Sequence, residues 1–125
     1  MGSLTTHVLD TMHGCPAAQV TIRLLRVETE ESGDQWPVHL TLLKTVRTNA
    51  EGRTDVPLLA NDEFVIGVYE LHFAVGAYFA ALRVVTPEPP FLDVVPVSFG
   101  IADPTAHYHV PLLVSPWAYS TYRGS

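Results

Sequence analysis

Cysteine and basic residues are both scarce in this chain of 125 residues. Cys15 is the single cysteine, which excludes an intramolecular disulfide and any zinc site built on paired cysteines. Seven Lys and Arg residues stand against 13 Asp and Glu residues, and the formal net charge is -6 at pH 7. With no basic run to meet phosphate groups, the composition argues against binding to nucleic acid or to an anionic membrane.

Long hydrophobic runs are absent as well, and targeting signals are weak or missing. No apolar run approaches the ~18 residues of a membrane-spanning helix. The sequence does not open with a basic stretch followed by an apolar one, and its closing Arg-Gly-Ser is not a peroxisomal signal. We therefore expect a soluble protein with no membrane partner, and the lack of paired cysteines favours a cytoplasmic location.

Familiar catalytic motifs are also missing. The chain has no Gly-rich phosphate loop, no G-x-S-x-G elbow and no H-E-x-x-H helix. It has six histidines, and the spacing of His107 and His109 puts both imidazoles on one face of a strand, where such a pair can chelate a metal. Two ligands do not make a zinc site, and no acidic residue stands nearby at ligand spacing. We predict no metal and no other cofactor.

Short segments with strand character alternate with turn residues about every 8 to 12 residues, which is the spacing of a β-sandwich. Pro96 predicts an edge position or a bulge for the strand that contains it. The stretches 28–37 and 49–57 have the composition of loops, and 75–83 has the apolar spacing of a short helix. The predicted strands are 4–10, 19–28, 38–48, 67–73, 91–101 and the two arms of 105–124, with a corner at 115–116. Residues 1–125 are predicted to form one all-β domain, an antiparallel sandwich of about eight strands with one short helix.

His7 and Arg53 carry little information when each is taken alone. His7 lies in a β-type segment, where a half-buried, hydrogen-bonded imidazole is the ordinary outcome. Arg53 lies in a polar loop and can pair with Asp55 at the surface, which contributes at most ~1 kcal/mol. Their importance depends on what the fold brings beside them.

Four segments together resemble the 5-hydroxyisourate hydrolase family, the purine-degrading enzymes of the transthyretin-like group. They are LTTHVLDT at 4–11, GCPA at 14–17, NAEGRTD at 49–55 and HYHVPLLVSPWAYSTYRGS at 107–125. The resemblance runs from residue 4 to residue 125, and the closing YRGS is its most specific part. Hormone-carrying transthyretins share the sandwich but lack that ending. Trp117 and Ala118 depart from the Tyr-Gly pair that many members carry.

The resemblance implies a transthyretin-like sandwich of two sheets, assembled as a homotetramer. This dimer of dimers surrounds a central channel, with active sites at the channel mouths. The implied reaction opens 5-hydroxyisourate at its N1–C6 amide to give 2-oxo-4-hydroxy-4-carboxy-5-ureidoimidazoline. The implied catalytic residues are His7, Arg53, His109 and Ser125, and the implied substrate-binding residues are Arg53, Tyr122, Arg123 and Gly124.

Hydrolysis of an amide needs a base for water, a donor for the developing oxyanion and a shaped pocket. Histidine suits the first task because its pKa of ~6.5 leaves it largely neutral at cellular pH. Either His7 or His109 can be that base, and Arg53 offers a planar fork of donors to the purine. Ser125 can act through its hydroxyl or its α-carboxylate.

Two further choices stay open at this point. Arg123 either binds substrate or neutralises the chain's terminal carboxylate, and Tyr122 is expected to narrow the channel to a purine-sized pocket. The alternative function is that of a transthyretin-like carrier, which binds a small aromatic ligand in the tetramer channel.

Overall fold

Two β-sheets face each other in residues 2–29 and 36–124, the parts of the chain that the computed structural model describes. The first sheet has the order β2-β1-β8-β9, with β5 also paired to β1, and the second has the order β4-β3-β6-β7. The helix α1 follows β6 directly, and a 3-10 turn spans Asn61–Glu63. The strands are β1 Ser3–Asp10, β2 Cys15–Pro16, β3 Thr21–Thr29, β4 Pro37–Arg47, β5 Leu59–Ala60, β6 Gly67–Ala74, β7 Val94–Ile101, β8 His107–Val114 and β9 Tyr119–Thr121, and α1 is Val75–Ala81.

The side chains of β1 alternate strictly between buried and partly covered, which gives the strand one face toward the core and one outer face. Leu4 and Val8 are fully buried, Thr6 and Asp10 are nearly so, and the residues between them are only partly covered. The inward side chains of the two sheets meet in one apolar core that includes Ile22, Leu71, Phe73 and Leu112. Each fully buried aliphatic or aromatic side chain contributes roughly 1.5–3 kcal/mol, so the core decides which face of each strand points outward.

The predicted all-β sandwich with a short helix is confirmed, and the strand that contains Pro96 is the edge strand β7 of the second sheet. The helix is shorter than the predicted 75–83, because Arg83 takes a left-handed backbone with φ 61 that ends it. The predicted loop 28–37 begins later than expected, since β3 extends to Thr29, and residues 30–35 lie outside the described ranges. None of the helices in the described ranges is long and apolar enough to cross a membrane.

One strand pair differs from the antiparallel prediction. β1 and β8 run parallel over their whole length, from Ser3 opposite His107 to Asp10 opposite Val114. The other strand pairs between described residues are antiparallel. Period-2 alternation is the same in either chain direction, so the pattern of apolar residues carries no information on this point.

Candidate active site

The outer face of the first sheet carries a row of polar side chains. Ser3, Thr5 and His7 alternate with the buried residues of β1, and His107 and His109 alternate with those of β8. The parallel register sets Ser3 opposite His107 and Thr5 opposite His109. Because opposite residues point to the same side of a sheet, these five side chains share one surface.

Part of this surface, without Ser3 and His7, forms the floor of a pocket of about 400 Å³, which we call the first-sheet pocket. Thr5, His107 and His109 lie on its floor, and residues 53–57 form its wall. That volume is within the range of small-molecule sites, which starts near ~300 Å³. The pocket therefore combines imidazoles from two strands with a guanidinium from a loop that is distant from both in sequence.

Arg53 reaches the pocket because its loop is bonded to the backbone of β1. The carbonyl of Gly52 accepts a 2.8 Å hydrogen bond from the amide of Val8. Gly52 has φ +76, and a Cβ there would lie 2.4 Å from the oxygen of Val8, so only glycine fits. The side-chain oxygen of Asn49 accepts from the amides of Glu51 and Arg53, at 2.9 and 3.2 Å. These bonds fix the turn that carries Arg53.

The guanidinium of Arg53 takes part in no ion pair among the described residues. Asp55, its expected surface partner, instead accepts a 3.1 Å hydrogen bond from Nδ2 of Asn49. Arg53 thus lines the first-sheet pocket with its donors available to a polar ligand.

The ring of His7 is held by a contact with the backbone of the loop that carries Arg53. Its Nε2 lies 2.8 Å from the carbonyl oxygen of Glu51, which can only accept, so Nε2 carries the hydrogen. In the neutral ring, Nδ1 is then the nitrogen with a free lone pair. The loop that places Arg53 also fixes the tautomer of His7.

His109 is half-buried on β8, and its Nδ1 lies 2.8 Å from Oγ1 of Thr5. Burial lowers the pKa of His109, and the positive charge of Arg53, together with the neighbouring imidazoles of His107 and His7, lowers that pKa further. Both effects disfavour the imidazolium form. At neutral pH this imidazole is therefore a neutral base, beside a permanently charged arginine.

The chain beyond β9 returns to His109. The amide of Gly124 donates a 2.7 Å hydrogen bond to the backbone oxygen of His109. A Cβ on Gly124 would come within 2.7 Å of Cδ2 of His109, so the backbone passes directly across the imidazole. Because residue 124 is glycine, the tail can pack closely against the imidazole of His109 and hold the ring in one orientation.

The other residues of the tail have different surroundings. The guanidinium of Arg123 lies 4.1 Å from the ring centroid of Tyr108 and within 3.5 Å of the carbonyl oxygen of His107. The structure thus places it on Tyr108 and not among the residues that line the first-sheet pocket. The side chain of Tyr122 is exposed, and Ser125 lies outside the described residues.

Thr5 and His107 also line the first-sheet pocket, but the sequence did not identify either of them as a residue of the active site. Oγ1 of Thr5 contacts both Nδ1 of His109 and Nε2 of His107, at 2.8 and 3.3 Å. The period-2 pattern places Thr5 on the same face as His7 and could have indicated it, but its contact with β8 follows from a register that the pattern does not contain.

The pair His107 and His109 does not extend to a metal cluster. Within residues 2–29 and 36–124, no group of three or more His, Cys, Asp or Glu side chains could hold a metal ion.

The sequence profile of the HIUase/Transthyretin family matches residues 4–124. The chain belongs to this family. A 5-hydroxyisourate hydrolase of Ralstonia nicotianae is 54% identical over 125 residues, which is 100% of each chain. A 5-hydroxyisourate hydrolase of Pseudomonas aeruginosa is 52% identical over 125 residues, which is 100% of this chain and 93% of that protein.

Solved structures of the family agree with the fold. A 5-hydroxyisourate hydrolase of Klebsiella pneumoniae has a TM-score of 0.77 at 33% identity and is covered completely, as is this chain. An (S)-allantoin synthase has a TM-score of 0.88 at 48% identity over 99% of this chain and 44% of that one. Sea bream transthyretin in complex with thyroxine has a TM-score of 0.78 at 30% identity, over 98% of this chain and 94% of that one. The fold is thus shared by enzyme and carrier, and the site has to separate them.

Proposed function

We propose that the chain hydrolyses 5-hydroxyisourate and that the reaction takes place in the first-sheet pocket. The chain is a hydrolase of the kind that its full-length relatives are named for. The observation that carries the assignment to this pocket is the setting of His109. Burial and the charge of Arg53, which lines the same pocket, lower the pKa of this imidazole and favour its neutral form. A neutral base next to a fixed positive charge is what hydrolysis of a polar cyclic amide requires.

The step begins with water at the C6 carbonyl of the substrate. His109 takes a proton from this water through Nε2, because its Nδ1 is already engaged by Thr5. The new C–O bond forms as the carbonyl electrons move onto oxygen, and the donors of Arg53 stabilise that oxyanion. The N1–C6 bond then breaks, N1 receives a proton, and the product is 2-oxo-4-hydroxy-4-carboxy-5-ureidoimidazoline.

His7 and the tail complete the proposed machinery. We assign the transfer of a proton to N1 to His7: its bare Nδ1 takes the remaining hydrogen from the new hydroxyl group of the tetrahedral intermediate and passes it to N1, while its Nε2 stays held by the backbone of residue 51. Gly124 sets the orientation of the base by pressing on its ring. Tyr122 is proposed to wall the substrate, and Ser125 to orient water through its hydroxyl or its carboxylate.

The active form is proposed to be a homotetramer, a dimer of dimers located in the cytoplasm. Tyr122 is 60% exposed and Trp117 is 57% exposed, and both follow β8, whose outward side chains form part of the floor of the first-sheet pocket. Aromatic side chains at such exposure are typical of surfaces that another subunit covers. Sedimentation of the purified protein tests this point, and a monomer at micromolar concentration that is fully active would contradict it.

A carrier function is the second candidate, and the likeness to a transthyretin that holds thyroxine favours it. A carrier has no need for a neutral base beside an arginine that forms no ion pair with any described residue, so the first-sheet pocket favours the enzyme.

The deciding experiment follows 5-hydroxyisourate by its ultraviolet absorbance after urate is mixed with urate oxidase. The protein is expected to speed the decay of this intermediate well beyond the decay in buffer. Decay at the buffer rate, together with saturable binding of the intermediate, would instead establish a carrier.

A further inference from the structure

A continuous row of hydrogen bonds runs along the outer face of the first sheet and ends at the proposed base. Oγ of Ser3 contacts Nδ1 of His107, and Nε2 of His107 lies 3.3 Å from Oγ1 of Thr5. The same Oγ1 lies 2.8 Å from Nδ1 of His109. Three side chains thus link the half-buried imidazole of His109 to the exposed surface, where His107 lies.

The available hydrogens restrict how this row can be arranged. The hydroxyl of Thr5 has one hydrogen and two lone pairs, so it can donate to at most one of the two imidazoles. If it donates to His109, then Nδ1 of that ring is bare and Nε2 of the neutral ring carries the hydrogen. If it accepts from His109, then Nδ1 carries the hydrogen, Nε2 is bare, and Thr5 can donate to Nε2 of His107. Only the second arrangement presents a base to the pocket.

We propose that Thr5 and His107 are positioning residues for the hydrolysis. They select the tautomer of His109 that has a bare Nε2, and they carry the proton that the base acquires to the surface. This inference rests on the proposed function, because it concerns the base of that reaction. It adds two residues whose proposed role does not require contact with the substrate.

The transfer conserves protons at every link. Water gives a proton to Nε2 of His109, and the ring passes its Nδ1 hydrogen to Oγ1 of Thr5. Thr5 gives its own hydrogen to Nε2 of His107, and His107 releases the hydrogen on Nδ1 toward Ser3 and solvent. Each ring ends neutral and in the opposite tautomer, and one proton has reached the surface. The other hydrogen of the water goes to N1, so the product leaves as a carboxylate and the proton that reaches the surface is the one net proton of the hydrolysis.

The charges around the row favour this direction. Arg53 faces His109 from the loop, and the imidazoles of His7 and His107 face it from β1 and from its own strand, so a proton that stays on His109 lies beside the permanent positive charge of Arg53. Asp55, on the pocket wall, is the acidic side chain there and is bonded to Asn49. Moving the proton to exposed His107 transfers the charge from a half-buried position to water, which solvates it far better.

The test replaces Thr5 by valine, which has the same shape without the hydroxyl, and by serine, which restores the hydroxyl. We expect Thr5→Val to lower kcat by about 10-fold to 100-fold with KM nearly unchanged, a part of what a general base supplies. We expect Thr5→Ser to recover most of kcat. A rise in KM alone, with kcat preserved, would mean that Thr5 only helps to bind the substrate, and it would overturn the proposal.

A second measurement does not depend on activity. Nitrogen-15 NMR of the imidazoles reports which ring nitrogen carries hydrogen, and His109→Gln identifies the signals of His109 by their loss. In the unaltered protein we expect hydrogen on Nδ1 and a bare Nε2, and in Thr5→Val we expect a mixture of the two tautomers. Thr54→Val is the matched control, since Thr54 lines the same pocket but donates its hydroxyl to the carbonyl of Val56 at 2.6 Å. The control should leave the His109 signals unchanged.

The remaining link is tested by His107→Gln, whose amide can bond to Thr5 but cannot accept and release a proton. We expect kcat to fall and the fall to be relieved by small imidazole or phosphate buffers that can accept the proton directly. A His109 tautomer that does not respond to Thr5→Val would overturn the relay even if the chain hydrolyses its substrate. Absence of hydrolysis by the unaltered chain would overturn the proposed function instead, while the tautomer measurement still decides the relay.

Discussion

The outer faces of the two sheets both carry histidine, but in opposite surroundings. On the second sheet, Nε2 of His72 lies 2.7 Å from Oε1 of Glu70, and both side chains are largely covered. On the first sheet, His109 has a hydroxyl as its nearest partner and Arg53, His107 and His7 around it. One imidazole is paired with a carboxylate, and the other is surrounded by groups that are cationic or can become so.

The difference separates a histidine that stabilises structure from one that is suited to chemistry. A carboxylate is a hydrogen-bond partner that holds its imidazole in place, whereas burial and the charge of Arg53 lower the pKa of His109 and favour its neutral ring. His13 belongs with His72, since its Nδ1 lies 2.6 Å from Oδ2 of the buried Asp10. Asp10 also accepts a hydrogen bond from the hydroxyl of Tyr78. This contact between Tyr78 and Asp10 ties helix α1 to the end of β1.

The largest effect is expected from removing the imidazole of His109. His109→Gln keeps the size of the side chain and the backbone bond to Gly124, but it removes the base. We expect the catalysed rate to fall by about 100-fold to 10,000-fold, toward the spontaneous decay of the substrate. The measurement is the decay of 5-hydroxyisourate absorbance, with the melting temperature as the control for folding. Activity within about threefold of the unaltered protein would remove His109 from the site.

Next in size is the loss of the cation beside it. Arg53→Gln is expected to lower kcat/KM by about 100-fold to 1,000-fold, the loss typical of an oxyanion donor. It should also shift the pH profile, because the charge of Arg53 lowers the pKa of His109. Without that charge the pKa rises toward its ordinary value, and the acid limb of kcat/KM moves to higher pH.

Arg53→Lys is the matched control for that shift. Lysine keeps the charge but loses the planar fork, so the acid limb should stay in place while kcat/KM recovers only in part. An acid limb at the same pH in Arg53→Gln and in the unaltered protein would show that this cation does not tune the base.

A smaller effect is expected from adding one methyl group to the tail. Gly124→Ala places a Cβ 2.7 Å from Cδ2 of His109, so the ring or the tail has to move. We expect kcat to fall by about 10-fold to 100-fold, the loss typical of a small misplacement of a catalytic group. Gly100→Ala on β7 is the control, because a Cβ there meets nothing within 4 Å. Equal loss in both variants would mean that glycine substitution harms the fold generally.

The smallest effect is expected at the paired histidine of the second sheet. His72→Gln should lower the free energy of unfolding by about 0.5–1.5 kcal/mol, the contribution of one partly covered hydrogen bond. Hydrolysis should remain near that of the unaltered protein, because His72 lies on the opposite sheet. Loss of activity without loss of stability would break the distinction between the two faces.

Much of the fold could be read from local pattern. The alternation in 4–10 and the turn residues around it predict β1 closely, and Pro96 predicts an edge strand, which is what β7 is. Both follow from interactions within a few residues of chain. The parallel direction of β1 against β8 does not, because it depends on a pairing between segments about 100 residues apart.

The residues of the candidate site could be predicted from the sequence only in part. His7, Arg53, His109 and Gly124 were named from a family resemblance, and the structure brings them to one surface by bonds that no local pattern contains. Thr5 and His107 were not named as site residues, since the role of a threonine hydroxyl depends on which two nitrogens lie beside it.

The sequence by itself determined the alternating strands, the short helix, the acidic charge and the supply of histidine and arginine. These depend on residue chemistry and on a period of two, which are properties of the chain wherever it lies. Tertiary structure decided which histidines pair with a carboxylate and which lie near Arg53, and His109 is the one of the latter that we propose as the base. An imidazole takes its pKa and its tautomer from atoms within a few ångströms, and here those atoms come from distant parts of the chain.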